Sequence, residues 1–174
     1  MTKNFEPNRI GRLWAGWRSS YVSTKQERPS IDSGSVFEDI FLSDDPDVKK
    51  YILWEGKYCA AMLNTYPYVS GHTLVLPKRA VPNLLDLSKD ESSEIWQAVN
   101  DSVAAITNAY NPHGVNVGMN IGRAAGASIP EHLHVHCLPR WEGDTTFLTS
   151  IAEAKMIPEP LMSSYEKLKK NWPS

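Results

Sequence analysis

His132-Leu133-His134-Val135-His136-Cys137-Leu138-Pro139-Arg140-Trp141 is the stretch on which the fold of this chain turns. Three histidines alternate with three apolar residues. Period two is the pattern of a β-strand, whose successive side chains point to opposite faces. The strand so predicted puts His132, His134 and His136 on one face, with next neighbours roughly 6.5–7 Å apart. Leu133, Val135 and Cys137 take the other face. Five positions thus hold three of the chain's five histidines. Three readings of that face are open. It is the polar side of a half-buried strand; or a metal site, since a His-x-His pair on a strand can bind zinc; or a nucleophilic centre, the middle imidazole attacking and the outer two supporting it.

Outward from this stretch, the chain alternates strands, one long helix and turns. Lys50-Tyr51-Ile52-Leu53-Trp54 reads as a strand, and Glu55-Gly56 as a turn. Tyr58 to Leu63 is an almost wholly apolar strand, expected to be buried on both faces. Thr73-Leu74-Val75-Leu76-Pro77 is a third. Short connections make these three an antiparallel meander. Ser88-Lys89-Asp90-Glu91 has the Ser-x-x-Glu form of a capping box. It opens a helix to about Tyr110, with Ile95, Val99, Val103 and Ile106 as an apolar stripe. Asn111-Pro112-His113-Gly114 stops it, leaving His113 solvated. Val115 to Ile121 alternates again, Val115, Val117, Met119 and Ile121 against Asn116, Gly118 and Asn120. Gly122 to Ser128 is a small-residue loop leading to the histidines. Ser43-Asp44-Asp45-Pro46-Asp47 reads as a turn. The fold class is α+β: a roughly five-stranded antiparallel sheet, one main helix packed on it, and peripheral short helices.

With 174 residues, 41% hydrophobic and 22% charged, the chain can bury a real core as one domain. A formal net charge of -2 excludes a global positive field that would recruit nucleic acid. Cys59 and Cys137, the only cysteines, give no disulfide framework and are expected as buried free thiols. No apolar leader and no membrane-spanning run is present, so the expected compartment is the cytoplasm.

The motif and its surroundings resemble the histidine triad (HIT) superfamily, whose signature is His-x-His-x-His followed by two apolar residues, here Cys137 and Leu138. The resemblance runs from Lys57 to about Phe147 through Leu63-Asn64, Pro67, Gly71-His72, Met119-Asn120 and Leu138-Pro139-Arg140. Leu13-Trp14, Leu63-Asn64-Thr65-Tyr66-Pro67-Tyr68, Glu131-His132 and Pro139-Arg140-Trp141 liken it to the actinobacterial diadenosine tetraphosphate phosphorylase type. The implied organisation is an N-terminal arm over residues 1–35, a HIT domain over 36–147 and a helical tail over 148–174. The implied assembly is a homodimer, with the Trp14 region a candidate for contact across it.

The resemblance also implies the chemistry: cleavage of dinucleoside polyphosphates by nucleotidyl transfer to a histidine, with inorganic phosphate as the acceptor. Water as acceptor, a nucleoside phosphoramidase and a non-catalytic nucleotide-binding protein are the alternatives. His134 aligns with the nucleophile, His136 with an α-phosphate contact and His132 with the structural member. His72 aligns with a fourth, supporting histidine. Asn120 aligns with a phosphate-contacting amide, Asn64 with a ribose contact, and Trp141 with a residue of the nucleotide site. Gly126, Ala127 and Ser128 are placed to cradle phosphate through backbone N–H groups and the Ser128 hydroxyl. The phosphorylase type has Gly-Gly-Ser there, so Ala127 departs from it and would restrict the loop if position 127 needed positive φ. Many relatives carry Cys-x-x-Cys where this chain reads Ser35-Val36-Phe37-Glu38, and neither a metal nor another cofactor is expected. A histidine that attacks phosphorus must be neutral, with one ring nitrogen free and the other held by an acceptor. On a strand, a neighbouring carbonyl can serve.

Overall fold

The computed structural model describes residues 34–144 and 157–173. The N-terminal arm with Trp14, and Phe147, lie outside the described residues. Five strands form one sheet in the order β1-β2-β3-β5-β4: β1 Ile52–Glu55, β2 Cys59–Leu63, β3 Thr73–Pro77, β4 Gly114–Met119 and β5 Val135–Arg140. Every neighbouring pair is antiparallel. The expected meander is β1-β2-β3, and β5 inserts between β3 and β4.

Helix α1 spans Val36–Leu42, α2 Pro46–Lys49, α3 Lys89–Tyr110 and α4 Leu161–Asn171. Ser88 caps α3 in a complete capping box with Glu91, and Asn111 ends it in the left-handed conformation. The stripe of α3 is narrower than expected at one point. Val103 is half-buried, and Ala98, Ser102 and Ala105 join Ile95, Val99 and Ile106 in the buried set. Small residues let the helix lie close to the sheet. The segment from Ser43 to Asp47 is not only a turn. Asp45 caps α2, and Pro46 stands at its start, where a missing N–H costs nothing.

The sheet has two covered faces. Leu53, Cys59, Ala61, Leu63, Val75, Val135 and Cys137 pack against α3, and Leu168 of α4 joins that core. Ile52, Met62, Leu74 and Leu76 pack on the other side around Phe37 of α1, with Ile40 and Phe41 beside it. Both cysteines are free and buried. The tail helix is tied to the body through Lys169 Nζ, which donates to the Leu53 carbonyl at 2.6 Å, and through stacked Trp54 and Trp172. Glu94 of α3 fastens the β1–β2 turn, its carboxylate accepting the N–H groups of Lys57, Tyr58 and Cys59 at 2.8, 2.6 and 2.7 Å.

Strand β1 starts at Ile52, not Lys50, and takes in Glu55, which the sequence reading assigns to the turn, and two other strands also differ from that reading. β4 ends at Met119, short of Ile121, and it is the outer strand, with Val117 42% and Ile121 39% exposed. Gly122, at φ +79°, turns the chain out of the sheet. β5 begins at Val135, so His132 and His134 precede the ladder. Leu133 and Val135 are buried, and so are His132 and His134. The apolar/polar alternation marks direction there, not solvent exposure.

Candidate active site

Register sets which face His136 occupies. Directly paired residues of an antiparallel sheet share a face, and His136 lies opposite Leu74 on β3 and Gly118 on β4. It therefore stands on the Leu74 side, away from α3. Gly118 contributes no side chain, and an open groove of about 310 Å³ runs past it, lined by Tyr68, Asn116, Asn120, His136 and Leu138. Asn120 thus sits beside His136.

The three histidines come together with Phe37 beneath them. The Phe37 ring meets His132 edge-on at 5.4 Å and His134 at 5.5 Å between centroids, and His134 meets His136 at 4.9 Å. Hydrogen bonds then decide the tautomer of each ring, because a carbonyl can only accept and a backbone N–H can only donate. His134 Nδ1 lies 2.8 Å from the His132 carbonyl. The proton is therefore on Nδ1, and Nε2 carries a free lone pair. His132 Nε2 donates to the Pro77 carbonyl at 2.7 Å, so its Nδ1 is an acceptor and takes the Ser35 hydroxyl proton. Ser35 is wholly buried.

His136 is set the other way round. The Tyr68 N–H donates to His72 Nδ1 at 3.1 Å, and the Asn64 amide nitrogen lies 3.3 Å from the same atom. His72 must then carry its proton on Nε2, which is 2.9 Å from His136 Nδ1. His136 accepts there and holds its own proton on Nε2. So one imidazole of the pair presents a lone pair and its neighbour presents an N–H. Among the described residues neither Nε2 is hydrogen-bonded, and neither is sealed from solvent. Burial holds all three triad histidines below the usual histidine pKa. His136, with His134 as a second cause, is pushed down to about 4. Neutral rings are what both the tautomer chain and nucleophilic attack require.

The remaining candidates fall in less uniform places. Asn64 joins the His72 support and also accepts the Tyr66 N–H at 2.9 Å, closing a turn. Gly126, at φ +94°, ends a short 3-10 turn, Arg123–Ala125. Ala127 has an ordinary negative φ, since Asn111 is the described non-glycine residue with a positive one. The extra methyl therefore strains nothing in the backbone. Two N–H groups expected to cradle phosphate are instead used inside the loop: Gly126 donates to Arg123 at 3.0 Å and Ala127 to Gly122 at 3.3 Å. Trp141 packs edge-on to Tyr110 of α3, with ring centroids 6.2 Å apart. That is the helix side of the sheet, opposite the groove, because residues 135, 137, 139 and 141 alternate away from His136. Arg140 donates to the Asp144 carboxylate and to the side-chain amide oxygen Oδ1 of Asn116. His113 accepts the Glu142 N–H while staying exposed.

Three residues around the triad escaped the sequence reading. Tyr68 stacks on His136 at 5.9 Å and supplies the first donor of the His72 chain. Asn116 lines the groove. Ser35 reaches His132. Ser35-Val36-Phe37-Glu38 does carry the Ser-x-x-Glu helix-start pattern, and the Glu38 N–H indeed donates to Ser35 Oγ. The second partner of Ser35, 97 positions away, leaves no local trace.

Among the described residues no three His, Cys, Asp or Glu side chains are grouped to hold a metal ion, and no helix is long and apolar enough to cross a membrane. The family model described as the HIT domain matches residues 45–143. The chain belongs to the HIT family. It is 38% identical over 170 residues to the AP-4-A phosphorylase of Mycobacterium tuberculosis, spanning 95% of this chain and 86% of that one. It is 35% identical over 97 residues to the asymmetrical bis(5'-nucleosyl)-tetraphosphatase of Schizosaccharomyces pombe, 56% of this chain and 53% of that one. Among solved structures, a Hit-like protein of Bartonella henselae superposes with a TM-score of 0.63 at 25% identity, covering 79% of this chain and 95% of that one.

Proposed function

We propose that this chain cleaves dinucleoside polyphosphates such as diadenosine tetraphosphate by nucleotidyl transfer through His134, with inorganic phosphate as the acceptor. The observation that carries this reading is the pair of opposed tautomers, a free lone pair on His134 Nε2 and an N–H on His136 Nε2, with rings 4.9 Å apart. In the first step His134 Nε2 bonds to the phosphorus of one adenylyl group while its bond to the bridging oxygen breaks. ATP leaves, and the His136 N–H donates to a phosphate oxygen or the departing oxygen. As Nε2 becomes bonded, the His132 carbonyl stabilises the charge through the Nδ1–H it already holds. In the second step a phosphate oxygen attacks the phosphorus of the phosphoramidate, the P–N bond breaks, and ADP is released with His134 restored.

The reading of phosphate as acceptor rests on the similarity to the Mycobacterium tuberculosis enzyme and on the unstrained Ala127. Asn120 and Ser128 are the contacts it assigns to phosphate groups, and Asn64 the contact to ribose. One observation favours water instead: the Gly126 and Ala127 N–H groups are already bonded within the loop. The deciding experiment is product analysis on diadenosine tetraphosphate with and without phosphate. ATP plus ADP supports phosphorolysis. ATP plus AMP at every phosphate concentration makes the protein a hydrolase, and no cleavage of any dinucleoside polyphosphate refutes the proposal.

The reaction as proposed uses imidazole and backbone donors alone, so activity should survive exhaustive chelation; loss restored by zinc would refute that part. We also propose a homodimer. Among the described residues β4 leaves one edge of the sheet unpaired, with Val117 and Ile121 exposed beside it, and such edges favour pairing. Light scattering should report twice the 19.5 kDa chain mass.

A further inference from the structure

We infer that Ser35, the residue that caps α1, is a positioning residue for the nucleophile; this rests on the role proposed for His134. The His132 carbonyl sits against the ring of the nucleophile. It holds the Nδ1–H of His134 and thereby fixes which nitrogen attacks. Yet β5 begins three residues later, at Val135, so no sheet ladder holds that carbonyl in place. Its backbone surroundings are two isolated bonds, His132 N–H to Ile129 at 3.2 Å and Leu133 N–H to Val81 at 2.7 Å.

What remains to orient the peptide is the His132 side chain, and that ring is gripped at both nitrogens. Pro77, in β3, accepts from Nε2 at 2.7 Å. Ser35 donates its hydroxyl proton to Nδ1. The same Ser35 oxygen accepts the Glu38 N–H at 3.2 Å, so the hydroxyl is spoken for on both sides and its proton points at His132. Ser35 and His132 are both 0% exposed, so no water stands in for a missing partner. Phe37, two residues on in the first turn of α1, touches the rings of His132 and His134 and transmits the same placement by packing. Helix α1 is in this way part of the scaffold of the nucleophile, although it precedes the first strand.

Substitutions at Ser35 separate this role from simple helix capping. Ser35→Asp keeps a side-chain cap for α1, but a carboxylate has no proton to give His132 Nδ1. Ser35→Ala loses both. Ser35→Thr keeps both. The expected result for Ala and for Asp is a kcat lowered on the order of 10- to 100-fold with KM within about threefold, as misplacement of a reacting group produces. Threonine should stay within about threefold of wild type; if it did not fold, the Ala and Asp variants would still decide. The second readout is the nitrogen-15 spectrum of His134. Wild type should show a single Nδ1–H tautomer, and Ala and Asp a mixture. This readout needs no substrate, so it reports on Ser35 even if dinucleoside polyphosphates prove to be the wrong substrates. The inference is overturned if Ala and Asp, folded to the same extent as wild type, leave the His134 tautomer unchanged, or if they change it while kcat stays within twofold.

Discussion

His72→Phe tests the tautomer chain behind His136. The substitution keeps a planar ring in a fully buried site. It removes the Nε2–H that His136 Nδ1 accepts at 2.9 Å, and the Nδ1 acceptor used by Tyr68 N–H at 3.1 Å. Each buried polar group left without a partner costs about 1–3 kcal/mol. Tyr68 is exposed enough for water to replace its partner, so the loss concentrates on His136. Two consequences follow. The melting temperature should drop by roughly 2–12 °C, given about 2–4 °C per kcal/mol for a chain of this size. The kcat should fall about 10- to 100-fold, because 1.4 kcal/mol is a factor of ten and His136 Nε2 no longer has its proton enforced. The assay is steady-state cleavage of diadenosine tetraphosphate by His72→Phe, His136→Ala and the double variant. If His72 acts through His136, the double variant should be no slower than His136→Ala alone, a strongly non-additive cycle. Fully additive effects, or a His72→Phe enzyme within threefold of wild type, would refute the chain of donors drawn from Tyr68 through His72 to His136.

Other outcomes follow from the same geometry. His134→Ala should lower turnover by several orders of magnitude per folded molecule, the folded fraction being read by circular dichroism because the substitution also removes a buried ring packed on Phe37; more than a tenth of wild-type activity would remove His134 from the role of nucleophile. The acid limb of the rate profile should lie below the usual histidine pKa, because burial favours neutral His134 and activity is lost only as pH falls through that depressed value. Stability carries the same sign: below the unfolded histidine value the unfolded chain takes up protons first, so buried neutral histidines make the fold less stable as pH drops, which acid titration of the melting temperature would show. Glu94→Ala should cost about 2–6 kcal/mol through the part-buried N–H groups of Tyr58 and Cys59 at the β1–β2 turn, the exposed Lys57 N–H turning to water. Its kcat per folded molecule should match wild type, and a slowed reaction would mean the turn communicates with the triad.

The sequence by itself determined whatever depends on near neighbours. Alternation put His134 and His136 on one side of the chain. Ser88 and Glu91 announced the start of α3, and an unbroken apolar run made β2 a fully buried strand. These signals are local because strand and helix periodicity and capping act over two to four residues. The supporting histidine at position 72 was legible only through likeness to a family. Its contact with His136 spans 64 positions, and the register of β3 against β5 creates it. The tertiary structure alone decided the tautomers, since these depend on which distant carbonyl, hydroxyl or N–H meets each nitrogen. It also decided that Trp141 faces Tyr110, not the groove, and that two loop N–H groups near Ala127 close on their own turn. Ser35 shows the division most plainly: its cap on α1 is written in Ser35-x-x-Glu38, while its bond to His132 exists only because the sheet brings position 132 back beneath that helix.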